Sequence, residues 1–120
     1  MSSEIEDYYI AVNSGRLEDA VEMMAEDVQA VLVLPTGVKH AEGRVVMLGN
    51  LRARPPVDRE HHILRFATDG DMQFAYGLVT ENDTAAGDFV GVVQLDAQGK
   101  IARYQVTYDM GLTLLPAEGA

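Results

Sequence analysis

What most constrains the fold of this chain is one change in the spacing of its apolar residues. Three-and-four spacing over the first quarter gives way to short aliphatic runs and strict alternation, broken by a single further helical stretch. Ser3 followed by Glu6 makes a capping box, Ile5, Tyr8, Tyr9 and Val12 keep helical spacing behind it, and Gly15 stands where a helix stop is wanted. A first helix over about residues 3–14 is expected. The phrase RLEDAVEMMAED places Leu17, Ala20, Val21 and Met24 on one stripe, with acids opposite, and reads as a second helix completing a hairpin.

VQAVLVLP is β-branched and aliphatic, too short for a buried helix, and stopped by Pro35 and Gly37, so a strand over residues 28–34 is expected. PTGVKHAEG reads as a loop, and a short helix runs from Arg44 to about Arg54, ended by Pro55 and Pro56. HHILRFAT, MQFAYGLVTE, FVGVVQLD and KIARYQVTYDM follow as strands, separated by a TDGD turn, a polar loop NDTAAGD and an AQG turn. With residues 28–34 that makes at least five strands. The order of elements predicts an α+β fold, helices packed on one face of a curved antiparallel sheet, in a single domain spanning residues 1–120. FVGVVQL is apolar at both parities, so its strand is expected at the centre, covered by helices on one face and by a second subunit on the other.

Composition removes several function classes. Nineteen acidic against nine basic side chains give a net charge of −10, which repels nucleic acid and anionic lipid surfaces. No cysteine is present, so disulfide and thiolate chemistry are excluded, in keeping with a cytoplasmic location. The start MSSEIEDYY has neither a basic segment nor an apolar run, and the longest apolar stretch, Ala30 to Leu34, is far too short to span a bilayer, so secretion and membrane insertion are not expected.

The order of elements, with YYIAVNSGRLEDAVEMMAEDV, LPTGVKHAEGR and FVGVVQLDAQGKIARYQVTYD, resembles the nuclear transport factor 2-like superfamily over nearly the whole chain, particularly its SnoaL-like branch of ketosteroid isomerases and polyketide cyclases. The resemblance implies a cone, a bent sheet wrapped around long helices, with a pocket at its wide end and usually a dimer. It also implies a mechanism: a first-helix tyrosine and a late-strand acid form an oxyanion hole, and an aspartate before a Pro-x-Gly turn shuttles the proton. Tyr8 matches the tyrosine, but Leu34 stands at the aspartate and Gly91 at the late-strand acid. An aliphatic side chain takes no proton and glycine donates no side-chain hydrogen bond, so that chemistry is not available here, and Gly91 counts equally against the cyclase route.

The alternation of RYQVTYD, residues 103–109, sends Tyr104, Val106 and Tyr108 to the pocket face, with Ala102 and Met110. By the same parity Phe89, Gly91 and Val93 join them, Gly91 standing across from Tyr104, or Val92 if Gly99 carries a bulge. Phe74 and Tyr76 are expected to face the pocket from the preceding strand. Tyr8, Leu34, Phe74, Tyr76, Phe89, Gly91, Tyr104, Val106 and Tyr108 are therefore the candidate ligand wall; for each tyrosine the alternative is ordinary core packing. His61 and His62 point to opposite faces and cannot share one metal. A three-residue TDGD loop would turn His62 into the cavity with Leu64 and Phe66, and a two-residue loop would turn His61 in instead. Tyr8 and His62 are the candidate catalytic groups; no metal site and no cofactor are expected. His40 falls in the loop at the cone's mouth, and Asp88 and Asp109 fall on the outer parity, solvated or at an interface.

Three functions fit: a non-catalytic module binding a small hydrophobic or ring-shaped molecule in the cone, an isomerase- or cyclase-type enzyme working through tyrosine or histidine, and a partner-binding module whose cone is filled by its own side chains. A homodimer through the outer sheet face around Val90, Val92, Arg103, Gln105 and Thr107 is expected in each case.

Overall fold

In a computed structural model describing residues 3–54 and 57–115, Ser3 opens helix α1 (Glu4–Asn13) with a capping box: its hydroxyl accepts from the Glu6 N–H at 3.2 Å and the Glu6 carboxylate accepts from the Ser3 N–H at 3.1 Å. At the other end Gly15, at φ +76°, lets the chain double back: its N–H bonds to the Val12 carbonyl and that of Arg16 to the Ala11 carbonyl, the paired bonds of a Schellman stop. Helix α2 (Leu17–Glu22) is half the length its apolar stripe predicts. From Met24 the chain is strand β1 (Met24–Leu34), because the Ile101 N–H takes the Met23 carbonyl and the strand lies parallel to the last one. Pairing overrides helix propensity here. A register irregularity between Met24 and Gln29 leaves Met24 and Val28 both fully buried while Glu26 and Asp27 face water.

The expected loop after Pro35 is strand β2 (Gly37–Glu42), hairpin-paired to β1. Its Lys39, His40 and Glu42 are exposed, as suits a sheet edge that must not pair further. Helix α3 (Arg44–Arg52) follows; the expected stop at Pro55 and Pro56 lies outside the described residues. Strands β3 (Arg59–Asp69), β4 (Met72–Glu81), β5 (Thr84–Leu95) and β6 (Ile101–Asp109) complete six strands in the order β2-β1-β6-β5-β4-β3, all neighbours antiparallel except β1 with β6. The NDTAAGD loop shrinks to a turn at Asn82 and Asp83, both at positive φ, so β5 begins five residues before the aliphatic run predicts.

Helices cover one face of the curved sheet. Ile5, Tyr8, Tyr9 and Val12 of α1, Ala20 and Val21 of α2, and Met47 and Leu51 of α3 meet Val28, Phe89, Val93, Ile101, Tyr104 and Val106 from the strands. The opposite face carries Val90, Val92, Arg103, Gln105 and Thr107, as their paired positions require. Part of it is crossed by the segment after β6: the Leu114 N–H donates to the Tyr76 hydroxyl at 2.8 Å and to Asp88 at 3.3 Å, and the Tyr76 hydroxyl donates to Asp88. Asp88 is thereby buried, where the sequence predicts a solvated or interfacial acid. Among the described residues no helix is long and apolar enough to cross a membrane.

Candidate functional site

The inner face is built around rings. Helical spacing turns both Tyr8 and Tyr9 inward, each 2 % exposed, and strand alternation brings Tyr104, at 4 %, against them from β6. The Tyr9 and Tyr104 hydroxyls share a 2.6 Å hydrogen bond, and Tyr8 meets the Tyr104 ring edge-on at 5.4 Å between centroids. Phe89 tilts onto Tyr9 at 4.9 Å. Gly91 belongs to the same wall, for a methyl group there would stand 2.5 Å from the Tyr9 hydroxyl. The glycine leaves room for an aromatic ring, but the ring is that of Tyr9.

The expected pairing of Gly91 with Tyr104 is corrected: Gly91 lies opposite Val106, and neither it nor Val92 but Val93 lies opposite Tyr104. An irregularity near Leu95 moves the register, with Ala102 the extra residue between the pairs Gln94 with Arg103 and Leu95 with Ile101. Met110 lies beyond β6 and is exposed. Leu34 ends β1 on the inner parity of Ala30 and Leu32, half-buried.

Two further expectations fail on β4. Gln73, Ala75, Gly77 and Val79 face the helices, so Phe74 and Tyr76 lie on the outer face and are not part of the ligand wall. Volume decides this: rings from α1, β5 and β6 occupy the interior, so β4 presents its smaller side chains to it. A methyl at Gly77 would stand 2.0 Å from the His62 carbonyl oxygen and 2.8 Å from the Phe89 ring.

The Asp69–Met72 connection holds two loop residues, Gly70 at φ +60° and Asp71, which pairs Phe66 with inward-facing Ala75; continued, that register would carry His62 inward, but a shift between Ile63 and Arg65 pairs His61 with Val79 and turns His61 inward instead. His62 is exposed and meets Thr80 at 3.0 Å on the outside. Phe66 lies on the inner parity, opposite Ala75, but is 41 % exposed. His40, expected in a loop at the cone's mouth, sits on the outer side of β2 opposite Val31.

His61 is held on every side. The Asn13 side chain, at the end of α1, accepts from its backbone N–H and donates to its carbonyl, each at 2.8 Å. Its ring stacks on Tyr9 at 4.8 Å and meets the Phe89 edge at 5.0 Å, and its Nε2 lies 2.9 Å from the Tyr108 hydroxyl. Nδ1 is buried without a partner among the described residues. Burial, reinforced by the charges of Arg54, Arg59 and His62, pulls the imidazole down to about 3, so it is neutral at neutral pH. Burial also pushes Tyr108 up to about 12, opposed by Arg59 and Arg54, and holds Tyr8, Tyr9 and Tyr104 above the usual tyrosine range. The charges acting on His61 and Tyr108 are cationic: Arg54, itself pulled down by burial, and Arg59, which is paired with Glu81 at 2.7 Å.

Among the described residues this arrangement brings together neutral hydroxyls and a neutral imidazole. Tyr9, Asn13 and Arg54 were not singled out from the sequence as site residues. Tyr9 lies on the apolar stripe beside Tyr8 and was legible there, whereas Asn13 and Arg54 acquire a role only through tertiary contacts. Asp58, Glu60 and Asp83 bring carboxylate oxygens within 4.8 Å of one another where β3 starts and β4 turns into β5; exposure and clustering alone do not make them a metal site. Two open grooves lie elsewhere, one of about 510 Å³ bordered by Ile10, Arg16, Met23 and Lys100, and one of about 410 Å³ on the outer sheet face around Val31, Val92, Gln94 and Arg103.

No family model matches the chain, and no curated protein does. Solved structures match it closely in shape. An NTF-2 like protein of unknown function from Burkholderia xenovorans LB400 superposes with a TM-score of 0.73 at 14 % identity, over 95 % of this chain and 85 % of that one. The epoxide hydrolase/cyclase-like enzyme SalBIII, with a role in pyran ring formation in the polyether salinomycin, gives 0.72 at 22 % identity, over 89 % and 88 %. An LEH-like epoxide hydrolase from M. tuberculosis gives 0.72 at 18 % identity, over 88 % and 80 %.

Proposed function

On the nuclear transport factor 2-like fold that this chain has, we propose a cytoplasmic, homodimeric protein that binds a small hydrophobic or ring-shaped molecule at the mouth of the inner face, without isomerase acid chemistry. The observation that carries this is the Tyr108–His61 pair: a half-buried tyrosine whose hydroxyl is joined to a buried imidazole, the second nitrogen of which has no partner among the described residues. Polar groups cost free energy when buried, and a rim that keeps them beside Tyr8 and Leu34 suits a ligand with one polar group on an apolar ring. With Leu34 and Gly91 where the isomerase acids stand, the function is binding; an enzyme on this frame works through Tyr8, Tyr108 or His61. A fragment screen read by backbone amide shifts, followed by turnover assays on each hit, tests this. Hits that move the signals of Tyr8, Leu34 and Tyr108 support it, and an unperturbed inner face across the screen refutes it.

A second reading is favoured by one contact. The Tyr9 ring fills the space that Gly91 leaves, which supports a cone closed by its own side chains and a function carried by the outer sheet face. In that case the same screen perturbs only outer positions such as Val90, Val92 and Gln105.

A further inference from the structure

We infer that Tyr108 presents its O–H, and not a lone pair, at the mouth of the inner face, so that the ligand recognised there carries an oxygen acceptor, a ketone or a carboxylate, with His61 as the positioning residue. This rests on the small-molecule reading above and adds the polarity of the contact. Asn13 clamps the His61 backbone at both its N–H and its carbonyl, and the ring lies between the face of Tyr9 and the edge of Phe89, so the imidazole keeps one orientation. Nε2 faces Tyr108 and Nδ1 faces no partner among the described residues. A proton on Nδ1 would bury an N–H with nothing to accept it; a proton on Nε2 leaves only a lone pair unused, which protein interiors tolerate far more often. The Nε2–H tautomer follows.

In that tautomer Nε2 donates and the Tyr108 oxygen accepts, which leaves the hydroxyl hydrogen for a partner elsewhere. Tyr108 is half-buried where Tyr8, Tyr9 and Tyr104 are buried, so of these four rings it is the one we assign to meet a ligand. Arg54 and Arg59, whose charges reach Tyr108, favour an electron-rich atom there.

The test uses the full chain with ¹⁵N-labelled histidine and two five-membered rings of opposite polarity, cyclopentanone, which only accepts, and pyrrole, which donates. His61 is expected to show a bare Nδ1 and a protonated Nε2. Cyclopentanone is expected to shift the Tyr108 and His61 signals with an affinity about fivefold above that of pyrrole, and Tyr108→Phe to abolish the preference while the backbone spectrum is kept. A proton on Nδ1, or a preference for pyrrole, overturns the donor assignment and leaves the ligand reading standing. If neither ring perturbs the site, the ligand reading itself is overturned.

Discussion

The side-chain amide of Asn13 closes two hydrogen bonds of 2.8 Å on the backbone N–H and carbonyl of His61, so the last residue of the first helix and the start of the third strand share one fixed point. Removing it leaves two backbone groups of a buried residue without partners. Asn13→Ala is expected to cost about 2–3 kcal/mol in urea denaturation, with the His61 ring signals broadened as its stacking loosens.

Gly91 and Tyr9 occupy one volume. Gly91→Ala is expected to destabilise by about 1–3 kcal/mol, the range for overpacking a filled core. The same change made in Tyr9→Phe is expected to cost measurably less, because the clashing oxygen is gone; a double-mutant cycle in denaturant reads the coupling. Equal costs in both backgrounds would place the strain elsewhere.

His61 sets an acid limit on stability. Its imidazole titrates at about 3 when folded and near 6.5 when unfolded, so between those values the unfolded chain binds the extra proton and folding weakens as pH falls. The full effect of this group is about 5 kcal/mol, reached near pH 3 and absent above pH 6.5. A His61→Gln variant is expected to show a flatter decline over that window, measured as denaturation midpoint against pH.

The tyrosines set the alkaline limit. Tyr108 is raised from 10.0 to about 12, and Tyr8, Tyr9 and Tyr104 are raised too, so the folded chain keeps protons that the unfolded one gives up above pH 10. Stability is expected to fall as pH rises through 10 to 12, read as denaturation midpoint against pH, and a midpoint unchanged over that window would contradict the burial of Tyr8, Tyr9 and Tyr104.

Val90, exposed at the centre of the outer face, tests the proposed dimer. Val90→Glu is expected to shift sedimentation from dimer to monomer with the far-ultraviolet spectrum unchanged, since the side chain is exposed on the outer face.

Local chemistry made much of this architecture readable. The Ser3–Glu6 box and Gly15 bound the first helix because capping and left-handed backbone are short-range demands. The Asp69–Gly70 turn signal and the alternation of residues 72–81 and 101–109 placed β4 and β6 almost to the residue, while the length of that turn was left open between two and three residues. MAED and GVKHAE resisted, since both became strands through bonds to distant backbone, which no local propensity encodes.

For the site, the amino-acid order alone determined that Tyr104, Val106 and Tyr108 share a face and that Tyr8 and Tyr9 lie on a buried stripe. Which face of β4 turns inward, which of His61 and His62 follows it, and what lies across from Gly91 were decided only by tertiary structure. A period of two divides a strand into two sides without saying which is inner. In β4 the bulkier side, with Phe74 and Tyr76, went outward because Tyr9, Phe89 and His61 had already taken the interior volume.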